Sequence, residues 1–318
     1  MTEWIDKARR VLEDYISTVD DDRTVSFLQA LIDHAPTDSG RRSICESILK
    51  CIEKVDKDHS LSDLLYELRE HYLTGMIYPM RAKGGKTPKV TEHPSRKDIM
   101  EQETMLNEAY LSAAKRDPKK LKNLALLRDD YRSVISGEVD LGTANARGVP
   151  PDVGVVATEA AHILPFSLAT KLPERSDVCT VLSSFSGWDV ATIIGGDEIN
   201  RLGNVFTLAT YEHDAFGQLN WWLEKVEGRN NTYVINWARR LFGIPRGAEV
   251  TLTDHGTGLE PPDARLIAIH AACAKVVHQS GMAKFIDNTL RDMEETPVLA
   301  EDGSSQALMI ALRCIAVN

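Results

Sequence analysis

The chain has 318 residues, about two domains at ~150 residues each, and is long enough to bury a core without disulfide or metal staples. Hydrophobic residues make up 43% and charged residues 26%, a globular balance that excludes a disordered, collagenous or low-complexity protein. Acidic residues outnumber basic ones by 47 to 37, and the net charge of −10 excludes a protein that coats nucleic acid by bulk charge, though not a local basic patch.

The first 80 residues (1–80) read as a helical region. Trp4, Ala8, Val11, Leu12, Tyr15 and Ile16 recur at three- and four-residue steps, with Thr2 and either Asp6 or Glu3 as a start signal. This charged, amphipathic opening is unlike a signal peptide, and no apolar run approaches the ~20 residues of a membrane span. Further helices are expected near 25–32 and 41–55, and a fourth after Ser60 or Ser62 carries Leu61, Leu64, Leu65, Leu68 and Tyr72. Residues 81–97 (RAKGGKTPKVTEHPSRK) hold two glycines, two prolines and six basic residues against one Glu, and read as a basic linker or loop. A helix over about 98–115 should end in KRDPKKLKN, with Pro118 as the breaker.

From about Leu126 the character changes. RSVIS (132–136), closed by Gly137, and GVVAT (154–158) read as two short strands with a glycine-rich connection. The region 174–200 is helical again. A helix is expected from about His213 to Glu227, with Trp221 and Trp222 continuing it beside Leu219 and Leu223. TYVINW (232–237) and AEVTLT (248–253) alternate like strands. A strong helix over 263–278 is entered through Pro261–Pro262 and stopped at Ser280–Gly281, and a last apolar helix covers 306–316. There is no internal repeat.

Several motifs dissolve on inspection. GGKT at 84–87 resembles a phosphate-binding loop, but Met80 stands where a glycine is required and no strand precedes it. HGTG at 255–258 lacks the third glycine of a dinucleotide fingerprint and reads as a turn. His270 and His278 are eight residues apart on one helix, too far to share a metal, and read as packing or surface. The five scattered cysteines (Cys45, Cys51, Cys179, Cys273, Cys314) form no CxxC pair, which argues against a zinc knuckle or disulfide framework and for a reducing, intracellular setting.

The informative stretch lies between 128 and 240. His162 ends a short apolar run (EAAHILPFS), Asn204 follows 42 residues later in LGNVFTL, and His213 comes nine after that in YEHDAF. This His–Asn–His order resembles the HNH nuclease signature. The words RDDYRSVISGEVD, TEAAHILPFSL and INRLGNVFTLATYEHDAF, with Trp188-Asp189 between them, are more closely similar to the HNH-domain proteins common in fungal genomes. The resemblance implies an α+β fold: a mainly helical chain with an embedded ββα-metal core at about 125–240, inside an HNH-like domain spanning 98–318. It also implies that His162 is the general base on a hairpin, that Asn204 fixes the loop and orients that base, and that His213 on the following helix holds Mg²⁺ or Mn²⁺. Asp214 or Glu212 could add a carboxylate, since hard cations prefer oxygen. The chain departs from the family where Ala161 replaces an Asp before the base, where Gly217 replaces an acid after the helix histidine, and where Ser133 replaces a cysteine.

Two functions follow. One is a metal-dependent endonuclease acting on DNA, with the basic stretches 81–97 and 115–122 holding the phosphate backbone. The other keeps the scaffold but uses His162 as a proton-abstracting base on a small molecule, in a secondary-metabolic proton abstraction or cyclisation, with the cation weakly held or absent.

Overall fold

The computed structural model describes residues 3–17, 21–81, 108–165, 168 and 176–295. The chain folds as two compact units that interleave in sequence. The described parts of 1–82, 171–191 and 272–318 form one unit, and those of 83–170 and 192–271 form the other. The described residues 176–191 and 272–295 therefore group with the N-terminal helices, apart from the described remainder of the stretch 98–318. The GGKT motif, the linker beyond Arg81 and the apolar stretch 306–316 lie outside the described residues.

In the first unit the expected helices form: α1 (Glu3–Glu13), α2 (Thr24–His34), α3 (Asp38–Glu53) and α4 (Leu61–Tyr72). Ser60 begins α4. Its hydroxyl accepts the Asp63 N–H at 3.2 Å and the Asp63 carboxylate accepts the Ser60 N–H at 3.0 Å, a reciprocal cap. The central helix is α3, which packs against α1, α2, α4 and the helix Ser176–Ser186. Its Thr37 cap accepts the Gly40 N–H at 3.0 Å and donates to the Ser186 carbonyl at 2.7 Å. The two backbones come so close that a Cβ at Gly40 would run into the Phe185 carbonyl. A helix not foreseen from the sequence, Ala283–Glu295, also belongs here.

The second unit is built on α5 (Pro118–Arg128). Pro118 is a breaker only for the turn before it. Asp117 caps the N–H of Lys119 at 3.0 Å, so Pro118 stands in the first turn of a new helix, where its missing N–H has no partner to lose. The apolar face of α5, including Leu121, Leu124 and Ala125, clusters with Ala160, Leu202, Val205 and Leu259. At its end Arg128 is fully buried, bonded to both oxygens of Asp129 (2.7 and 3.0 Å) and to the carbonyls of Leu202 and Val205 (both 2.8 Å). Asp129 in turn accepts the Thr207 N–H at 2.7 Å. Such a pair is tolerated in a dry interior because its hydrogen-bonding capacity is used, and here it locks the backbone around 202–207.

That backbone contains β2 (Val205–Ala209), antiparallel to β1 (Thr158–His162) with His162 opposite Val205 and Thr158 opposite Ala209. Directly after β2 comes α6 (Thr210–Gly217). The expected strand at 132–136 does not form: Arg132 makes an isolated bridge to Val139, and the Ser133 hydroxyl turns the chain by accepting the N–H groups of Ile135 and Ser136. Nor does the helix from His213 continue to Glu227. Leu219 takes a left-handed conformation (φ 57°) after α6 ends. Residues Trp221–Lys225 then form β3, paired antiparallel with β4 (Thr232–Trp237), which pairs with β5 (Glu249–Thr251). Trp221 is fully buried and donates its indole N–H to the Glu212 carbonyl at 2.9 Å, so both tryptophans belong to a sheet. The last element of the unit begins α7 (Ala264–Gln279), whose His270 stacks on Phe216 and bonds its carbonyl at 3.0 Å.

Candidate active site

His162 is the last residue of β1, and its partly buried ring meets the Asn200 side chain, Nε2 to Oδ1, at 2.9 Å. The Asn200 amide has its orientation set elsewhere: Nδ2 donates to the Lys115 carbonyl at 2.8 Å, which leaves Oδ1 to face the ring. An amide oxygen only accepts, so Nε2 carries the proton in the neutral imidazole and the lone pair falls on Nδ1. Burial pushes the His162 pKa down to about 4; the Asn200 contact opposes this and the nearby His213 adds to it. The ring is therefore neutral across the neutral pH range.

Asn204 does not touch that ring through any of its observed amide bonds. It is fully buried one residue before β2, accepts the Leu164 N–H at 2.9 Å, and donates to the carbonyls of Leu164 (3.0 Å) and Ile199 (2.9 Å). Those two carbonyls flank the working pair, one lying two residues after His162 and the other one residue before Asn200. Asn204 thus clamps the two backbone segments that present His162 and Asn200 to each other. Sequence reasoning missed Asn200, because only the fold brings a turn residue 38 positions away against the ring.

His213 projects from α6. Its Nδ1 lies 2.7 Å from the Glu159 carboxylate on β1. The carboxylate that meets this histidine is therefore Glu159; Asp214 is exposed on the helix. Glu212 is fully buried and committed to structure: it accepts the Ala209 N–H at 2.8 Å, capping α6, and accepts the Ser133 hydroxyl. The serine that stands at the family's cysteine position thus serves the helix cap. Lys122 crosses the same strand, donating to the Thr158 carbonyl at 2.7 Å near Glu159. In the basic run 115–122, Lys115 pairs with Glu198 and Arg116 with Asp197 at the surface, while Lys119 is exposed.

For a divalent cation the donors present are few. Among the described residues no three His, Cys, Asp or Glu side chains converge as a metal site. One histidine oriented by one carboxylate fits a cation shared with a substrate's own phosphates, since Mg²⁺ is commonly held by few protein ligands plus phosphates and water.

A strand ending in histidine, its antiparallel partner directly preceded by asparagine, and a helix with a second histidine facing back onto the first strand are compatible with a ββα-metal core. The family comparison agrees: a model described as HNH endonuclease matches residues 134–224, under a third of the chain but spanning β1, β2, α6 and most of β3. Residues 134–224 are thus an HNH endonuclease domain, suggesting nuclease-type function in general. Searches of curated proteins and of solved structures found no match. Among the described residues, no helix is long and apolar enough to cross a membrane.

Proposed function

We propose that this domain is a metal-dependent endonuclease that cleaves phosphodiester bonds in DNA. The observation that carries the reading is the contact of His162 Nε2 with the Asn200 amide oxygen, which accepts the Nε2 N–H and supports Nδ1 as the base. His162 accepts the proton of the attacking water at Nδ1. Asn204 positions the base by holding Leu164 and Ile199. His213, steadied by Glu159, would hold Mg²⁺ or Mn²⁺, with Asp214 a further oxygen donor on the same helix. When bound, the cation neutralises charge that builds on the phosphate and the leaving oxygen.

Incubation of supercoiled plasmid with the full chain and Mg²⁺ or Mn²⁺ tests this. Nicking that disappears in His162→Ala is expected. No cleavage of the plasmid or of single-stranded circular DNA by the wild-type chain with any divalent cation overturns it. The desolvation of His162 and the chain's net charge of −10 favour a second reading, a small-molecule acid/base enzyme on the same scaffold. That reading predicts no nicking and no salt-sensitive DNA binding.

A further inference from the structure

The loop joining β4 to β5 carries the sequence ARRLFGIPRGA at 238–248. Phe242 at its tip is 98% exposed. Arg239, Arg240 and Arg246 are exposed around it, and among the described residues none of the three takes part in an ion pair. The base of the loop is firmly built. Ile244 is buried, its carbonyl accepts the Trp237 indole N–H at 3.2 Å, and the Arg246 guanidinium lies 5.1 Å over the Trp237 ring. Gly243, at φ 74°, rests against Tyr211, where a Cβ would stand 3.1 Å from the ring. Tyr211 lies on α6 two residues before His213, so the loop is seated on the helix of the candidate centre.

An aromatic ring left wholly in water adds nothing to the fold, and three guanidiniums outside any described ion pair, one of them packed on Trp237, give an acidic chain a local patch that complements a polyanion. A lipid surface fits less well: Leu241 is half-buried, so one ring alone would enter the bilayer, and a single short apolar anchor holds a membrane weakly. A base offers one flat face to one ring. On an unpaired strand that stacking is gained outright, whereas entry into a duplex must first offset the unstacking of a base step. We propose that this loop grips single-stranded nucleic acid, with Phe242 stacked on a base and Arg239, Arg240 and Arg246 on the neighbouring phosphates. The proposal names the substrate class of the adjacent centre and, for that role, rests on the nuclease reading.

The test is fluorescence anisotropy of a labelled oligothymidylate with the full chain, without added metal, over a series of salt concentrations. Phe242→Ala should weaken binding about tenfold or more with the salt dependence unchanged, and Phe242→Trp should restore it. Replacing the three arginines together by alanine should reduce the slope of log K against log salt by about 2. Wild-type affinity in Phe242→Ala overturns the proposal. So does equal Phe242 dependence on a fully paired duplex, or a loss confined to anionic phosphatidylserine vesicles. The two readings fail separately. Phe242-dependent oligonucleotide binding by a chain that cuts nothing keeps the grip and removes the nuclease, and cutting with Phe242-independent binding does the reverse.

Discussion

Asn200→Asp turns the hydrogen bond to His162 into an ion pair without changing the shape of the side chain. In the native protein the ring faces a neutral amide oxygen at 2.9 Å and titrates at about 4. A carboxylate at that distance favours the imidazolium and should raise the midpoint by ~1–3 pH units, to between about 5 and 7. At pH 6 the neutral fraction of the ring would then fall from nearly all to roughly half. The new oxygen facing the Lys115 carbonyl loses the bond that Nδ2 makes there, at a stability cost of ~1–3 kcal/mol, so folding is checked by circular dichroism first. Two-dimensional NMR of the histidine side chains reads the midpoint directly, and the acid limb of kcat/KM for DNA cleavage should move with it. An unmoved His162 midpoint in a folded Asn200→Asp chain would refute the assignment of Nε2 to Asn200, and with it that of Nδ1 as the base.

Other substitutions test the remaining parts. Asn204→Ala removes the acceptor of the Leu164 N–H and the donor to two carbonyls in a dry interior; chemical denaturation should show a loss of ~3 kcal/mol, and cleavage should fall with the alignment of His162. Glu159→Gln weakens the orientation of His213, and the Mn²⁺ concentration that half-saturates cleavage should rise ~10–100-fold. Acid should unfold the chain by a route set by its buried histidines. His270 is held near 3 and His162 near 4 by burial, both below the ~6.5 of an unfolded chain. The unfolded state therefore binds protons first, and stability is complete above about pH 7 and lost as pH falls through 6.5 toward those values. His270, being fully enclosed, contributes the larger share, ~4 kcal/mol by pH 3, and His270→Phe should flatten that part of a stability-against-pH profile.

The N-terminal helices were legible because their apolar residues repeat at helical spacing and their caps are local: Ser60 and Asp63 are three residues apart. The centre was legible only as three words. β2 is buried along its whole length and so shows no alternation, and its partner β1 lies more than 40 residues away, which no local pattern reveals. WWLEK fits a helical step as well as a strand, and the left-handed Leu219 that decides between them bears no mark in sequence, since leucine has no preference for that conformation. Asn200 and Glu159 were invisible for a related reason. Each acts through a contact made by the tertiary fold, and an asparagine in a short 3₁₀ turn looks like any polar loop residue.

A base that titrates near 4 is weak in the free protein, and this bears on which substrate it serves. A phosphodiester entering beside His162 brings negative charge to a site of low dielectric, which favours the imidazolium and strengthens the base only when the substrate is present. The profile of kcat/KM reports His162 in the free protein, and that of kcat reports it in the complex. For a polyanion, at one fixed concentration of the same cation, the acid limb of kcat should therefore lie at higher pH than that of kcat/KM. A neutral small molecule brings no such charge and would leave the two limbs together. Coincident limbs during DNA cleavage would mean that the phosphate does not approach the His162 ring, and the base would have to be sought elsewhere in the domain.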